Sequence, residues 1–111
     1  MIEKTIYDYL NSVQDIGAFM ERPKTPPTKY YLIEKTGGDM TNHIRSSTII
    51  IQSYASSLYE AAEMNENVID WMLEAVSLGD ISRVSLNSNY NFTDGATKQY
   101  RYQAVFDITH Y

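Results

Sequence analysis

The residues that could perform chemistry in this chain are few and far apart. The two histidines, His43 and His110, have no cysteine near them and no partner histidine at ligand spacing, whereas a zinc site needs three or four convergent ligands. Serines are present, but no sequence pattern brings one together with a histidine, as nucleophilic catalysis requires. We therefore expect surface or strand histidines, no enzyme activity, and no catalytic, cofactor-binding or metal-binding residues.

The glycine-rich segment KTGG at 35–38 is predicted to be a hairpin connection. It lacks the G-x-x-x-x-G-K-[ST] order of a phosphate-binding loop. The predicted loop from Thr36 to Asn42 is polar, with Met40 as its apolar residue. Two interpretations stay open: a disordered hairpin tip, and an arm that becomes ordered against a neighbouring molecule.

The most pronounced charge pattern belongs to a predicted long helix. Between Arg45 and Arg83 there is no lysine or arginine, while carboxylates recur at three- and four-residue spacing, which places them on one side of a helix. We call the following four residues the acidic stripe: Glu63, Glu66, Asp70 and Glu74. Either it is a solvated face, or it is an interaction surface that meets basic residues of a neighbour or lines a channel for DNA.

The same helix is predicted to begin at a capping box formed by Ser57 and Glu60 and to end near Val76. At about 100° per residue, the predicted core-facing residues are Leu58, Ala62, Ile69, Met72, Leu73 and Val76. Beside them lies an apolar flank of Met64, Val68, Trp71 and Ala75. Trp71 fits two interpretations equally: packing in the core and anchoring of an interface.

Other elements must position this helix. Residues 2–14 have apolar side chains at helical spacing and predict an amphipathic helix, with Gly17 as its stop. A short extended piece at 18–21 precedes a connector with three prolines, which lack amide donors. Strands are predicted at 29–35 and 42–54, the second rich in β-branched residues.

The C-terminal third is predicted to be a β-hairpin. From Tyr100 to Ile108 alternate residues are apolar, which is typical of a strand with one buried face; Tyr102, Phe106 and Ile108 are predicted to face the helices. The partner strand carries an apolar row of Val84, Leu86, Tyr90 and Phe92. A tight turn at Asp94-Gly95 would put the two rows on opposite faces. We therefore predict a three- or five-residue loop, or a bulge.

The element order α-(β)-β-β-α-β-β indicates a single α+β domain over residues 1–111, with an antiparallel sheet of about four strands and two helices packed on it.

The formal net charge of −5 argues against binding to nucleic-acid phosphates. The sequence has no cysteine, which excludes disulfides. We expect no membrane span, because no apolar run approaches ~18 residues, and no secretory signal, because the N-terminal segment lacks an apolar region.

Several segments resemble a family of small proteins from tailed bacteriophages and prophages of Gram-positive bacteria. SLYEAAE at 57–63 and KQYRYQAVFD at 98–107 are the specific segments. IYDYLNS at 6–12, YYLIEKTGG at 30–38 and IIIQSYASSLYEAAEMNE at 49–66 extend the resemblance over nearly the whole chain. The family comprises tail-completion and head–tail joining proteins and is similar to the tail terminators of phages with long flexible tails.

The resemblance implies a structural protein without catalytic residues. Such a subunit forms a ring, hexameric in well-known terminators, which caps the tail tube and contacts head–tail connector proteins. Its expected location is the head-proximal end of the virion tail, and the host cytoplasm during assembly. The interface is predicted to use Met40, Trp71 and the acidic stripe. A basic set outside the helix could complement the stripe: Lys24, Lys29, Lys35, Arg45, Lys98 and Arg101.

Two other function classes are also considered. The chain could be a small regulatory α+β module of prophage origin that binds a ligand or a protein, with a tyrosine-rich sheet face as its pocket; ten tyrosines suit a half-buried sheet or an interface. A nucleic-acid-binding domain of ferredoxin-like type is disfavoured by the negative charge.

Overall fold

The structure, a computed structural model, describes residues 1–41 and 44–111, so the predictions for Asn42 and His43 lie outside the described residues. Its helices are α1 (Ile2–Val13) and α2 (Leu58–Glu74), and a short 3-10 helix (Ala75–Ser77) follows α2. Its strands are β1 (Ala18–Phe19), β2 (Tyr30–Thr41), β3 (Ile44–Ala55), β4 (Ile81–Asn91) and β5 (Tyr100–His110).

The described strands form one sheet in the order β1-β2-β3-β5-β4. The α+β class is confirmed, but the sheet has five strands rather than about four, and it is mixed rather than antiparallel. The reason is β1, whose residues Ala18 and Phe19 pair in parallel with Tyr31 and Leu32. The proline-rich connector between β1 and β2 carries no helix, as predicted, and it returns the chain so that β2 runs in the same direction as β1.

Both helices cover the same face of the sheet. The principal core combines Ile6 and Leu10 of α1 with Val68 and Met72 of α2, and these residues pack over Phe106 of β5. All five side chains are fully buried, and a fully buried large apolar side chain contributes roughly 1.5–3 kcal/mol. Burial of Ile6 and Leu10 confirms the predicted amphipathic helix at the N-terminus.

The predicted N-terminus of α2 is confirmed. The Ser57 hydroxyl accepts a hydrogen bond from the Glu60 amide at 3.2 Å, which satisfies one of the amides that a helix start leaves free. The Glu60 carboxylate in turn accepts a hydrogen bond from the Ser56 hydroxyl at 2.8 Å. The regular helix ends at Glu74, two residues before the predicted end at Val76.

The predicted core-facing side of α2 is wrong for most of its residues. The buried residues are Ala61, Met64, Asn65, Val68, Met72 and Ala75. Leu58, Leu73 and Val76 are exposed, and Ala62 and Ile69 are half-buried. The helix is thus turned toward the predicted flank, and Asn65 reaches a partner in β4. That contact joins Asn65 Nδ2 to Asn89 Oδ1 at 3.3 Å.

The predicted loop at 36–42 is also corrected over its described residues, 36–41. Strand β2 continues through the glycine pair to Thr41 and pairs with β3 along its whole length, with a register shift between Lys35 and Gly37. From Glu34 onward every residue of β2 is exposed. The 12-residue strands span about 40 Å at 3.3 Å per residue, close to the 45 Å long dimension of the molecule. We call residues 34–41 and 44–46 the hairpin end.

The C-terminal hairpin contains the predicted bulge. Its register shifts between Leu86 and Ser88, so that Leu86 lies opposite Phe106 whereas Tyr90 lies opposite Gln103. The single extra residue turns the following side chains to the other face. Tyr90 and Phe92 therefore do not share a face with Val84 and Leu86, contrary to the predicted row, and their rings pack edge to face at 5.9 Å.

The face of the sheet away from the helices carries a tyrosine and glutamine cluster. The Tyr30 and Tyr54 rings stack at 4.5 Å between centroids. The Tyr54 hydroxyl donates to Gln52 Oε1 at 2.8 Å, and Gln52 Nε2 donates to Gln103 Oε1 at 2.9 Å. These four side chains are buried, so this part of the face is filled by side chains of the protein itself.

Candidate interaction surfaces

The acidic stripe lies in solvent, as its spacing predicts. Glu63, Glu66, Asp70 and Glu74 are all exposed. The ion pairs of the described residues join Lys4 to Asp8 and Lys29 to Glu60, so no described cation pairs with a stripe carboxylate. Like charges at four-residue spacing destabilise a helix by a few tenths of a kcal/mol each, and a cationic partner would relieve that repulsion.

A second apolar face on α2 adjoins the acidic stripe. We call it the outer apolar face, and it consists of Leu58, Ala62, Ile69 and Leu73 of α2 together with Val76 of the 3-10 helix that follows. Leu58 and Leu73 are 41% and 42% exposed, and Val76 is 47% exposed. The helical period predicts this row of side chains, but the prediction that the row faces the core is wrong for its exposed members. Large apolar side chains grouped on one exposed face are typical of a surface that another molecule covers.

Trp71 lies on the opposite flank of α2, beside α1. Its ring is half-buried against the core, and its backbone carbonyl accepts a hydrogen bond from the Tyr9 hydroxyl at 2.8 Å. Trp71 also lines an open cleft of about 500 Å³ together with Asp15 and Ile16, which follow α1, with Tyr31 of β2, and with Asp70 and other residues of α2. The side chain thus serves the core and a surface at once. Burial, with the nearby Glu74 carboxylate, raises the pKa of Tyr9.

Met40 lies on the hairpin end with 57% of its surface exposed. It pairs across the strands with Arg45, and both residues line a shallow depression with Lys35 and Gly38. Lys35 extends over Gly38, where an added Cβ would lie 3.1 Å from Lys35 Cε. Two cations therefore flank one exposed apolar side chain.

A serine and a histidine do meet, although no sequence pattern predicted it. Ser47 Oγ lies 2.8 Å from His110 Nε2, and both residues are buried. His110 Nδ1 lies 3.3 Å from the Tyr111 carbonyl oxygen. Burial lowers the pKa of His110. The pair mutually satisfies two buried polar side chains that neighbouring strands bring together.

Among residues 1–41 and 44–111, no three His, Cys, Asp or Glu side chains are grouped so that they could hold a metal ion. In the same residues, no helix has the length and hydropathy needed to cross a bilayer. No protein-family model matches the chain, and no curated protein matches it.

Proposed function

We propose that this protein is a structural subunit of a bacteriophage tail, which caps the tail tube as a ring and joins the tail to the head. The proposal rests on the resemblance of SLYEAAE and KQYRYQAVFD to tail-completion and terminator-like proteins. The ring is six-membered if it follows the well-known terminators. Its partners are copies of itself, the tail tube protein and the head–tail connector proteins.

The single structural observation that favours this function is the outer side of α2. It carries an apolar face with three side chains more than 40% exposed, and the acidic stripe runs beside it. An interface with an apolar centre and a charged border has this composition. A protein that acts as a monomer would gain stability by burying Leu58, Leu73 and Val76. In a ring subunit these exposed side chains can pack against the neighbouring subunit.

The acidic stripe has two possible places in a ring. It can face basic residues of the next subunit, where charge complementarity fixes register. It can instead line the lumen, where negative charge repels the phosphates of passing DNA. The interface role predicts that charge reversal blocks assembly, and the lumen role predicts that rings still form.

Deletion of the gene from the phage or prophage that carries it tests the function. We expect electron microscopy of the lysate to show tails of abnormal length without attached heads. Addition of the purified protein to that lysate should restore joined particles. Light scattering over a concentration series, with and without purified tail tubes, should show the mass of a ring. Normal joined virions in the deletion lysate would refute the proposal.

A charge-reversed variant tests the use of the stripe. Glu66→Lys with Asp70→Lys should leave the monomer folded, because both side chains are exposed, and should block ring formation or head joining. The matched control, Glu21→Lys with Asp107→Lys, makes the same change in net charge at exposed sites away from the stripe, since Asp107 lies between Phe106 and Ile108 and so points to the sheet face opposite the helices. Loss of assembly in both variants would point to net charge rather than to the stripe.

A second candidate function is a regulatory module that binds a small ligand or a protein, and the cleft beside Trp71 favours it. Trp71 is the single tryptophan, so its fluorescence reports on the cleft. If this function is correct, native mass spectrometry of protein purified from its host should show a bound small molecule or protein. An unliganded mass, with tryptophan emission unchanged by a host metabolite extract, would count against it.

A further inference from the structure

Two different unpartnered patches lie toward opposite edges of the sheet. The hairpin end belongs to β2, near the edge that begins with β1, and β4 is the other edge. The flank of α2 that includes Asn65 contacts β4 through Asn89, whereas the Trp71 flank contacts α1 through Tyr9. At 3.6 residues per turn the outer apolar face follows the Asn65 flank. It therefore lies toward β4.

The hairpin end presents unpaired backbone as well as side chains. Among the described residues, β1 pairs with the outer edge of β2 only at Tyr31 and Leu32, so the rest of that edge has no described strand beside it. Gly37 and Gly38 lie within this free stretch, and the absence of side chains there allows another chain to approach closely. A free edge of this length is normally protected or covered by a partner.

The basic residues divide into those with local partners and those without. Lys29 lies 3.8 Å from Glu60, and Arg101 donates to the Phe92 carbonyl oxygen at 2.7 Å while its guanidinium lies over the Phe92 ring. Within the described residues, Lys35 and Arg45 have no carboxylate at ion-pair distance. These two cations flank the exposed Met40, and together they complement an apolar surface bordered by carboxylates.

We infer that the hairpin end of one copy docks on the outer apolar face of α2 in the next copy. Met40 of one copy packs against Leu73 and Val76 of the next copy. Lys35 and Arg45 of the first copy form ion pairs with the acidic stripe of the next. The occupant of the α2 surface is thus a second copy of this chain. This inference rests on the proposed ring function and states which two surfaces form the ring contact.

The arrangement has the symmetry that a ring requires. A cyclic assembly uses a heterologous contact, in which one patch meets a different patch on the neighbour, and repetition closes the ring. The hairpin end and the outer apolar face are different, complementary and located toward opposite edges of one sheet. A two-fold dimer would need both patches within one self-complementary surface, whereas these two patches lie toward opposite edges of the sheet.

The absence of cysteine from the sequence permits a direct crosslinking test. Met40→Cys combined with Leu73→Cys places one thiol on each proposed patch at exposed positions. A disulfide needs Cβ atoms about 3.5–4.5 Å apart. Mild oxidation of the assembled ring should therefore give a ladder of covalent oligomers on a denaturing gel, and the highest rung gives the ring size.

The matched control moves one thiol to the other side of the same helix. Met40→Cys with Asn67→Cys keeps an exposed cysteine on α2 but places it toward the Trp71 cleft, so it should give no ladder. Each single variant should give at most a dimer. A ladder from the control, or none from the first variant when the wild-type chain forms rings, would overturn the inference while leaving the ring function intact.

Charge exchange supplies an independent readout. Lys35→Glu with Arg45→Glu should weaken ring association about tenfold or more, since interfacial ion pairs contribute this much or more. Combining those changes with Glu66→Lys and Asp70→Lys should restore ring formation, because the charges are exchanged across the contact. Failure of the combined variant to assemble, with its monomer folded by circular dichroism, would refute the pairing.

Different results would contradict the ring function and the assignment of the two patches. If the wild-type chain forms no ring with or without tail tubes, the proposed function fails and the inference falls with it. If wild-type rings form but neither the crosslink nor the charge exchange behaves as expected, only the assignment of the two patches is wrong.

Discussion

Helix α2 has two apolar faces, and the more hydrophobic of the two is the less buried. The buried face contains one alanine, two methionines, a valine and the amide Asn65. The outer apolar face contains two leucines, an isoleucine, a valine and an alanine, yet its leucines and its valine are 41–47% exposed, while its isoleucine packs partly against the core. Hydrophobicity identifies helix faces that are stabilised by burial. It does not decide which of those faces packs against the rest of the same chain. The more apolar face left outside is the one available to a second molecule.

The largest expected effect comes from adjacent residues on the two faces. Met72 is fully buried and Leu73 is 42% exposed. Met72→Ala should lower the free energy of unfolding by about 2–5 kcal/mol, because it removes buried contacts and leaves a cavity. Leu73→Ala should change it by about 0.5 kcal/mol or less. Urea denaturation of both variants measures the contrast, and equal losses would mean that the outer face is covered within the monomer.

The packing of the buried face can also be tested by measuring protein stability at alkaline pH. The Tyr31 hydroxyl donates to the Met64 carbonyl oxygen of α2 at 3.1 Å, and burial raises the pKa of Tyr31 from 10.0 to about 12. Between those values the unfolded chain releases the phenol proton and the folded chain keeps it. Stability should therefore fall as pH rises from 10 to 12. Thermal unfolding at several pH values measures this dependence.

Two phenylalanine variants sharpen that measurement. Tyr31→Phe should lose about 0.5–1.5 kcal/mol at neutral pH, because one hydrogen bond disappears, and should show a weaker decline above pH 10. Tyr59 is 77% exposed on α2, so Tyr59→Phe should keep the wild-type dependence. If Tyr59→Phe flattened the alkaline decline as much as Tyr31→Phe, the buried phenol would not be its cause.

The smallest expected effect concerns the amide within the buried face. Asn65 donates to Asn89 at 3.3 Å, and its own Oδ1 is buried without a hydrogen-bond partner among the described residues. Asn65→Leu has a similar volume and removes this unsatisfied acceptor, so it should raise the free energy of unfolding by about 0.5–1 kcal/mol. A clear loss of stability would show that the contact with Asn89 fixes the rotation of α2.

Local signals in the sequence predicted the elements well. The Ser57 hydroxyl caps α2 because a serine oxygen satisfies a free amide wherever a helix begins. The alternation from Tyr100 to Ile108 yielded the correct inner face of β5 for Ala104, Phe106 and Ile108, which are buried, because successive strand residues point to opposite faces. Tyr102, which was predicted with them, is only half-buried. Each of these signals depends on a few neighbouring residues, so the element can be predicted without knowing which distant segments it contacts.

The errors share a different cause. The glycine pair suggested a loop, yet pairing with β3 holds Gly37 and Gly38 in a strand. The row through Tyr90 was assigned to one face, yet the extra residue Asn87 reverses it. The Ser47–His110 contact joins residues 63 positions apart. Strand partners and bulge positions are set by contacts between distant segments, which no local pattern contains.

By itself, the sequence determined the helices, the main strands, the acidic stripe and the presence of an apolar row along α2, since these follow from residue type and period. Only the tertiary structure decided that the row lies outside the core. A helix packs on a sheet with one rotation about its axis, and that rotation is chosen by the fit of Met64, Val68 and Met72 against the strands. Close packing penalises any other fit, so the most apolar residues were left exposed.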